Sequence, residues 1–410
     1  MQYAEGRCVG GGSEINSGLY HRTPPDILAR WRTEYRVAEA RDEDLDEHFG
    51  ANERELAVGF YPGAAPAAAL KLRDGAEHMG WQCMEVPRWY RYFADESNPK
   101  HPVGVRQSMS ETFVPRALRA GARLVAGARA RRLARTGSTW RIDIASTDIL
   151  QPESAVEAEH VFVCAGAIGT PALLLRSGIT RNIGKTLRMH PTIKAIARFD
   201  ETINSELAVV PMHQVKEFSP AIGFGCSISS PPHLALAVAD SRRGLGIVNE
   251  SWQQMAIYYA MVAAEGTGAI TPLPRSDDPL VNFSLTTGDR ALLRAGLEKL
   301  VRLLFAAGAR EVIPSIAGAA SMRNLGDLAA LPDTLPLDRT SLMTIHLFSS
   351  CPMGENPDLR AVDSFGRLPD CPGLRVSDAS LLPTASGVNP QGSVMAFARR
   401  NALQFLEALA

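Results

Sequence analysis

A chain of 410 residues, 45% hydrophobic and 21% charged, is long enough to bury a large core and is expected to make two domains. Its formal net charge of −1 excludes a global field that recruits nucleic acid or anionic membrane. Six scattered cysteines with no C-x-x-C spacing argue against a zinc site or redox pair, so no metal is expected and a reducing, cytoplasmic setting is favoured.

Met1 to Tyr20 shows no basic-plus-apolar leader pattern. It contains Gly10-Gly11-Gly12-Ser13-Glu14-Ile15-Asn16, and three successive glycines either let backbone approach a ligand closely or make a structural turn. This is not a dinucleotide fingerprint. G-x-G-x-x-G counted from Gly10 needs glycine where Ile15 stands, and the pattern occurs nowhere in the chain. Residues 24–57 read as helical, with Pro24 to Trp31 starting one helix, Glu43 to Phe49 in another, and the acidic run on a solvated face. Residues 62–66 read as a turn, 67–72 as a helix and 90–102 as a loop. Ser108 to Glu111 fits a capping box opening a helix through Ala120.

Ala122 to Leu133 and Thr139 to Ala145 alternate like paired strands, and Arg129, Arg131 and Arg132 within the first read as a solvated face. His160 to Gly166 reads as a buried parallel strand, followed by a turn through Pro171 and a helix from Ala172 to Arg176. Residues 218–239 lack charge, but Pro220, Pro231 and Pro232 interrupt them, so no transmembrane segment is expected. From Pro191 to Leu342 strands and helices mix. Asp289 to Ala307 is an amphipathic helix with Leu292, Leu293, Leu297, Leu300, Leu303 and Leu304 on its buried side. Tyr258, Tyr259 and Met261 read as core rather than pocket.

The last stretch holds His346, then Cys351-Pro-Met-Gly354, a short strand Leu374 to Val376, Asp378-Ala379-Ser380, and Asn389-Pro390-Gln391-Gly392. Asn389 stands where an N-cap belongs and Pro390 where the first helical residue belongs. Val394, Ala398, Ala402, Phe405 and Leu409 recur at helical spacing as the buried face. Histidine suits proton chemistry near neutral pH, because its ordinary pKa is about 6.5, and an amide can hold a substrate oxygen in line. Alone, His346 would read as a bonded core residue and Asn389 as a helix cap.

Together these motifs resemble the glucose–methanol–choline (GMC) family of FAD-dependent oxidoreductases, which oxidise alcohols. The resemblance rests on the glycine segment, on Ala165-Gly166-Ala167 with Thr170-Pro171, and on the four C-terminal parts in order. It implies FAD contacted by Gly10, Gly11, Gly12, Ser13, Asn16, Ala130, Ala165, Gly166, Thr170, Asp378, Ala379, Pro390, Gln391 and Gly392. It implies His346 as base or hydrogen-bonding partner to the alcohol and Asn389 as the residue that positions its oxygen. Hydride would pass to the flavin, with oxygen, a quinone or a cytochrome as electron acceptor. His190 is expected to be structural. The implied fold is α/β plus α+β: a truncated Rossmann-like FAD-binding domain (residues 1–189 and 347–410) and a substrate domain (190–346) on a mostly antiparallel sheet.

The family carries G-x-G-x-x-G upstream of the glycine segment, in a unit of about 30 residues. Only nine residues precede Gly10 here. The expectation is therefore a family protein without its N-terminal dinucleotide-binding segment, with an exposed sheet edge or cleft in its place. A separate N-terminal chain could supply that segment. The alternative is an incomplete or non-catalytic fragment, or a split subunit, that holds no flavin when alone.

Overall fold

The computed structural model describes residues 1–94, 102–146, 154–206 and 212–409. Its largest sheet has eight strands. Seven run in the order Gln2–Tyr3, Leu342–Thr344, Thr192–Arg198, Met255–Val262, Ile222–Cys226, His213–Val215 and Cys83–Glu85, and Glu311–Pro314 also pairs with Thr192–Arg198. All pairs are antiparallel except Gln2–Tyr3 beside Leu342–Thr344. Two segments from the first part of the chain thus join the sheet expected of the substrate domain.

Alternation decides what each face of that sheet does. Ile193, Ala195 and Ala197, with Ala256, Tyr258, Ala260 and Val262 on the neighbouring strand, share one face. They bury against Leu293, Leu297, Leu300 and Leu304 of the long helix Thr287–Ala306. Leu292, expected on the buried side, is only half-buried. The helix starts on a reciprocal cap. Thr286 Oγ1 accepts from Asp289 N at 3.0 Å, and Asp289 Oδ2 accepts from Thr286 N at 2.8 Å. A second helix, Ala67–His78, crosses it closely at Gly75, where an added Cβ would lie 2.5 Å from the Leu303 carbonyl oxygen.

The second core gathers Trp31, Trp89, Leu174, Phe348, Val376 and Phe397. It surrounds a parallel ladder of Val161–Val163 and Leu374–Val376, the helix Gly166–Arg176 and the closing helix Gln391–Glu407. Among the described residues the ladder is two strands wide, and Cys164 and Ala165 at its carboxyl end are exposed. Ala128–Thr136, Thr139–Ser146 and Ser154–Ala158 form a separate antiparallel meander. No described helix is long and apolar enough to cross a membrane.

Several elements depart from the sequence reading, each for a physical reason. Within 90–102, Arg88–Phe93 pairs with Val103–Arg106, because an aromatic-rich run favours pleated backbone; residues 95–101 lie outside the described residues. The capping box at Ser108 does not form. Glu14 takes the Ser110 N–H and O–H, and the helix spans Phe113–Arg119. The first meander strand begins at Ala128 rather than Ala122. The helix expected from Ala172 begins at Gly166 and runs through Pro171. Proline there cannot donate to the Ala167 carbonyl, and Ser350 Oγ fills that acceptor at 2.6 Å.

The closing helix starts at Gln391, with Pro390 rather than Asn389 as its N-cap. Its buried side is Gly392, Ser393, Ala396, Phe397, Arg400 and Asn401, not the apolar series from Val394 to Leu409. Arg400 lies inside because its guanidinium donates to the carbonyls of Ala38, Glu39 and Ser364.

Candidate active site

His346 lies between the short strands Leu342–Thr344 and Leu347–Phe348, and its backbone is held from both sides. His346 N donates to Thr344 Oγ1 at 3.2 Å, while its carbonyl accepts from Thr344 Oγ1 at 3.1 Å and from His190 N at 3.3 Å. Asn389 sits just before the closing helix. Freed from capping, its side chain turns to His346, with Nδ2 3.4 Å from His346 Nε2. The two predicted catalytic residues therefore share one site.

Around them runs a chain of polar side chains. His346 Nδ1 lies 3.1 Å from His190 Nδ1, and Gly387 N donates to His190 Nε2 at 3.0 Å. Gly387 has φ +68°, and an added Cβ would lie 2.7 Å from Pro220 Cβ, so only glycine aims that N–H at the ring. On the other side Gln214 Nε2 donates to Asn389 Oδ1 at 3.0 Å and to Tyr259 Oη at 3.2 Å. Gln214 Oε1 meets His21 Nε2 at 3.0 Å.

Burial governs the charges here. Desolvation, then the nearby Lys216, lowers His346 to about 4, so its imidazole is neutral at neutral pH. Burial also lowers His21 to about 3, holds His190 well below its ordinary value and brings Lys216 down to about 8. Tyr259 is pushed up to about 12.

The predicted cofactor residues fall into groups. Gly10 and Gly11 take φ +88° and +57° and lead into the short turn Gly11–Glu14. Ser13 Oγ donates to Gly10 O at 2.7 Å and accepts from Met109 N at 3.0 Å. Asn16 Nδ2 donates to Gln391 Oε1 at 3.3 Å, which ties the glycine turn to the start of the closing helix. Asp378 Oδ2 accepts from Gly166 N at 2.9 Å and from Thr170 Oγ1 at 2.5 Å. Its Oδ1 accepts from Ser380 N at 2.8 Å and Ser380 Oγ at 2.5 Å. Ala165 N donates to Thr170 Oγ1 at 2.9 Å, and Ala379 opens the short turn that Asp378 caps. Gly392 accommodates packing, since a Cβ there would lie 2.2 Å from the His21 carbonyl oxygen. Ala130 lies in the meander, at a register shift between Ala130 and Arg132. Arg129 and Arg131 beside it pair with Asp277 and Asp278.

Models of the GMC oxidoreductase family match residues 1–192 and 266–398. The chain belongs to the GMC oxidoreductase family. An uncharacterised GMC-type oxidoreductase of Sinorhizobium fredii is 39% identical over 406 residues, covering 98% of this chain and 80% of that one. An uncharacterised GMC-type oxidoreductase of Mycobacterium tuberculosis is 32% identical over 415 residues, covering 96% and 63%. A long-chain-alcohol oxidase of Arabidopsis thaliana is 26% identical over 452 residues, covering 97% and 57%. The chain therefore spans less than two thirds of the length of the latter two relatives. The solved pyridoxine 4-oxidase of Mesorbium loti shares the fold, with TM-score 0.73 and 18% identity over 98% of this chain and 85% of that one.

The glycine turn of this GMC chain leaves room for a closely approaching group. A methyl added at Gly11, Gly12 or Gly166 would meet nothing within 4 Å, so the surface above all three is open. The sequence reading missed Gln214, Tyr259 and His21 as members of the polar chain. Gln214 had a weak signal, as the one amide in an otherwise apolar run from Val209 to Val215 broken by His213. His21 had none.

Proposed function

We propose that this GMC chain serves an FAD-dependent oxidoreductase acting on the CH–OH group of an alcohol. The observation that carries the reading is the approach of Asn389 Nδ2 to His346 Nε2 at 3.4 Å, with both groups held from behind. A bound flavin supplies a hydride acceptor, and the open backbone at Gly11, Gly12 and Gly166 is where this chain would admit its ring. Asn16, Pro390 and Gln391 close the same side through the Asn16–Gln391 bond. His346 and Asn389 bracket the carbinol oxygen and orient the carbinol C–H. Relatives named long-chain-alcohol oxidase and 5-(hydroxymethyl)furfural oxidase support an alcohol as substrate.

A neutral ring lowered to about 4 is a weak proton acceptor, so its hydrogen-bonding role outweighs its basicity. The test supplies the protein with excess FAD and mixes it anaerobically with primary alcohols of increasing length. Alcohol-dependent loss of the yellow flavin band is expected. A flavin bound beside this site but reduced by none of the alcohols contradicts the reading.

A further inference from the structure

We propose that His190 is a positioning residue that fixes His346 in the tautomer with its proton on Nε2, so that His346 meets the substrate oxygen as a hydrogen-bond donor. This deepens the alcohol-oxidising reading and rests on it only for the identity of the oxygen. Hydrogen-bond polarity is set from one fixed end of the chain of side chains. The backbone N–H of Gly387 can only donate, so His190 Nε2, 3.0 Å away, must accept. His190 is fully buried and neutral, so its proton lies on Nδ1. That Nδ1–H points at His346 Nδ1 at 3.1 Å, which must accept in turn. A neutral His346 then carries its own proton on Nε2, facing Asn389. The opposite tautomer would set His190 Nε2–H against Gly387 N–H, two buried donors with no acceptor between them.

From the far side, Gln214 donates to Asn389 Oδ1, so Asn389 Nδ2 is a donor too. Two donors 3.4 Å apart fit one oxygen lodged beside both. Turning both amides over leaves the ring unchanged, because Nε2–H then donates to Asn389 Oδ1. With the amides as the structure places them, the site is complementary to an alkoxide or a carbonyl oxygen, which accepts two hydrogen bonds without offering one.

The experiment is nitrogen-15 NMR of the histidine side chains in the flavin-free chain, which has nine histidines to assign. It needs neither flavin nor alcohol, so it can succeed even if the alcohol reading fails. His346 is expected to show a protonated Nε2 and a lone-pair Nδ1. His190→Gln, whose amide can accept from Gly387 and donate to His346, should keep that pattern. His190→Leu should lose it, with the proton shifting toward Nδ1. A wild-type His346 protonated on Nδ1 overturns the proposal without any variant. Identical His346 spectra in the Gln and Leu variants overturn the role of His190.

Discussion

His346, His190 and His21 share one fate: each is held neutral by burial, with a pKa below the ordinary value of about 6.5. The sign of the consequence follows from proton counting. Between pH about 6.5 and the depressed folded values, the unfolded chain binds more protons than the folded one, so stability falls as pH falls. Each such histidine contributes up to about 1.4 kcal/mol per pH unit inside that window. Thermal melts from pH 7 down to pH 5 should therefore show a steep loss, and His21→Gln should flatten it. Equal slopes for the two proteins would place the acid sensitivity elsewhere. At this scale the sequence revealed the His346–Asn389 pair, because both sit in ordered motifs near the chain end. It did not reveal Gln214 or Tyr259, which reach the pair through sheet register from strands 130 or more positions away from Asn389. His190 was expected to be structural, and its link to His346 needed the folded backbone.

The closing helix shows how local pattern can mislead. Its apolar series predicted one buried face, yet polar residues occupy the core side because Arg400 and Ser393 find buried partners there. Carbonyls of Ala38 and Glu39, some 360 positions away, are invisible to a periodicity argument. The long helix Thr287–Ala306 was legible from its leucine spacing. Register at the closing helix fixes where Asn389 stands, and Gly392 sets that register against His21. Gly392→Ala would place a methyl 2.2 Å from a backbone oxygen that cannot swing away. It should cost about 1–3 kcal/mol of stability and lower alcohol-dependent flavin reduction as Asn389 shifts. Chemical denaturation with a kinetic assay checks both. Unchanged stability and rate would show that the helix start is not held in this way.

Across the whole molecule, the candidate site gathers residues spread from His21 through His190, Gln214 and Tyr259 to His346 and Asn389. The mostly antiparallel sheet and the parallel ladder were both expected. The joining of Cys83–Glu85 to the large sheet was not, because pairing partners 130 positions apart leave no mark on local sequence. The backbone is open at Gly11, Gly12 and Gly166, and the N–H at the start of helix Gly166–Arg176 is taken by Asp378. The most direct test of the central claim is the single-turnover rate of flavin reduction by an alcohol in the FAD-loaded protein, compared with His346→Ala. Loss of the donor to the substrate oxygen should slow it by about 10²–10³-fold, with flavin still bound. An unchanged rate would remove His346 from the reaction and contradict the account.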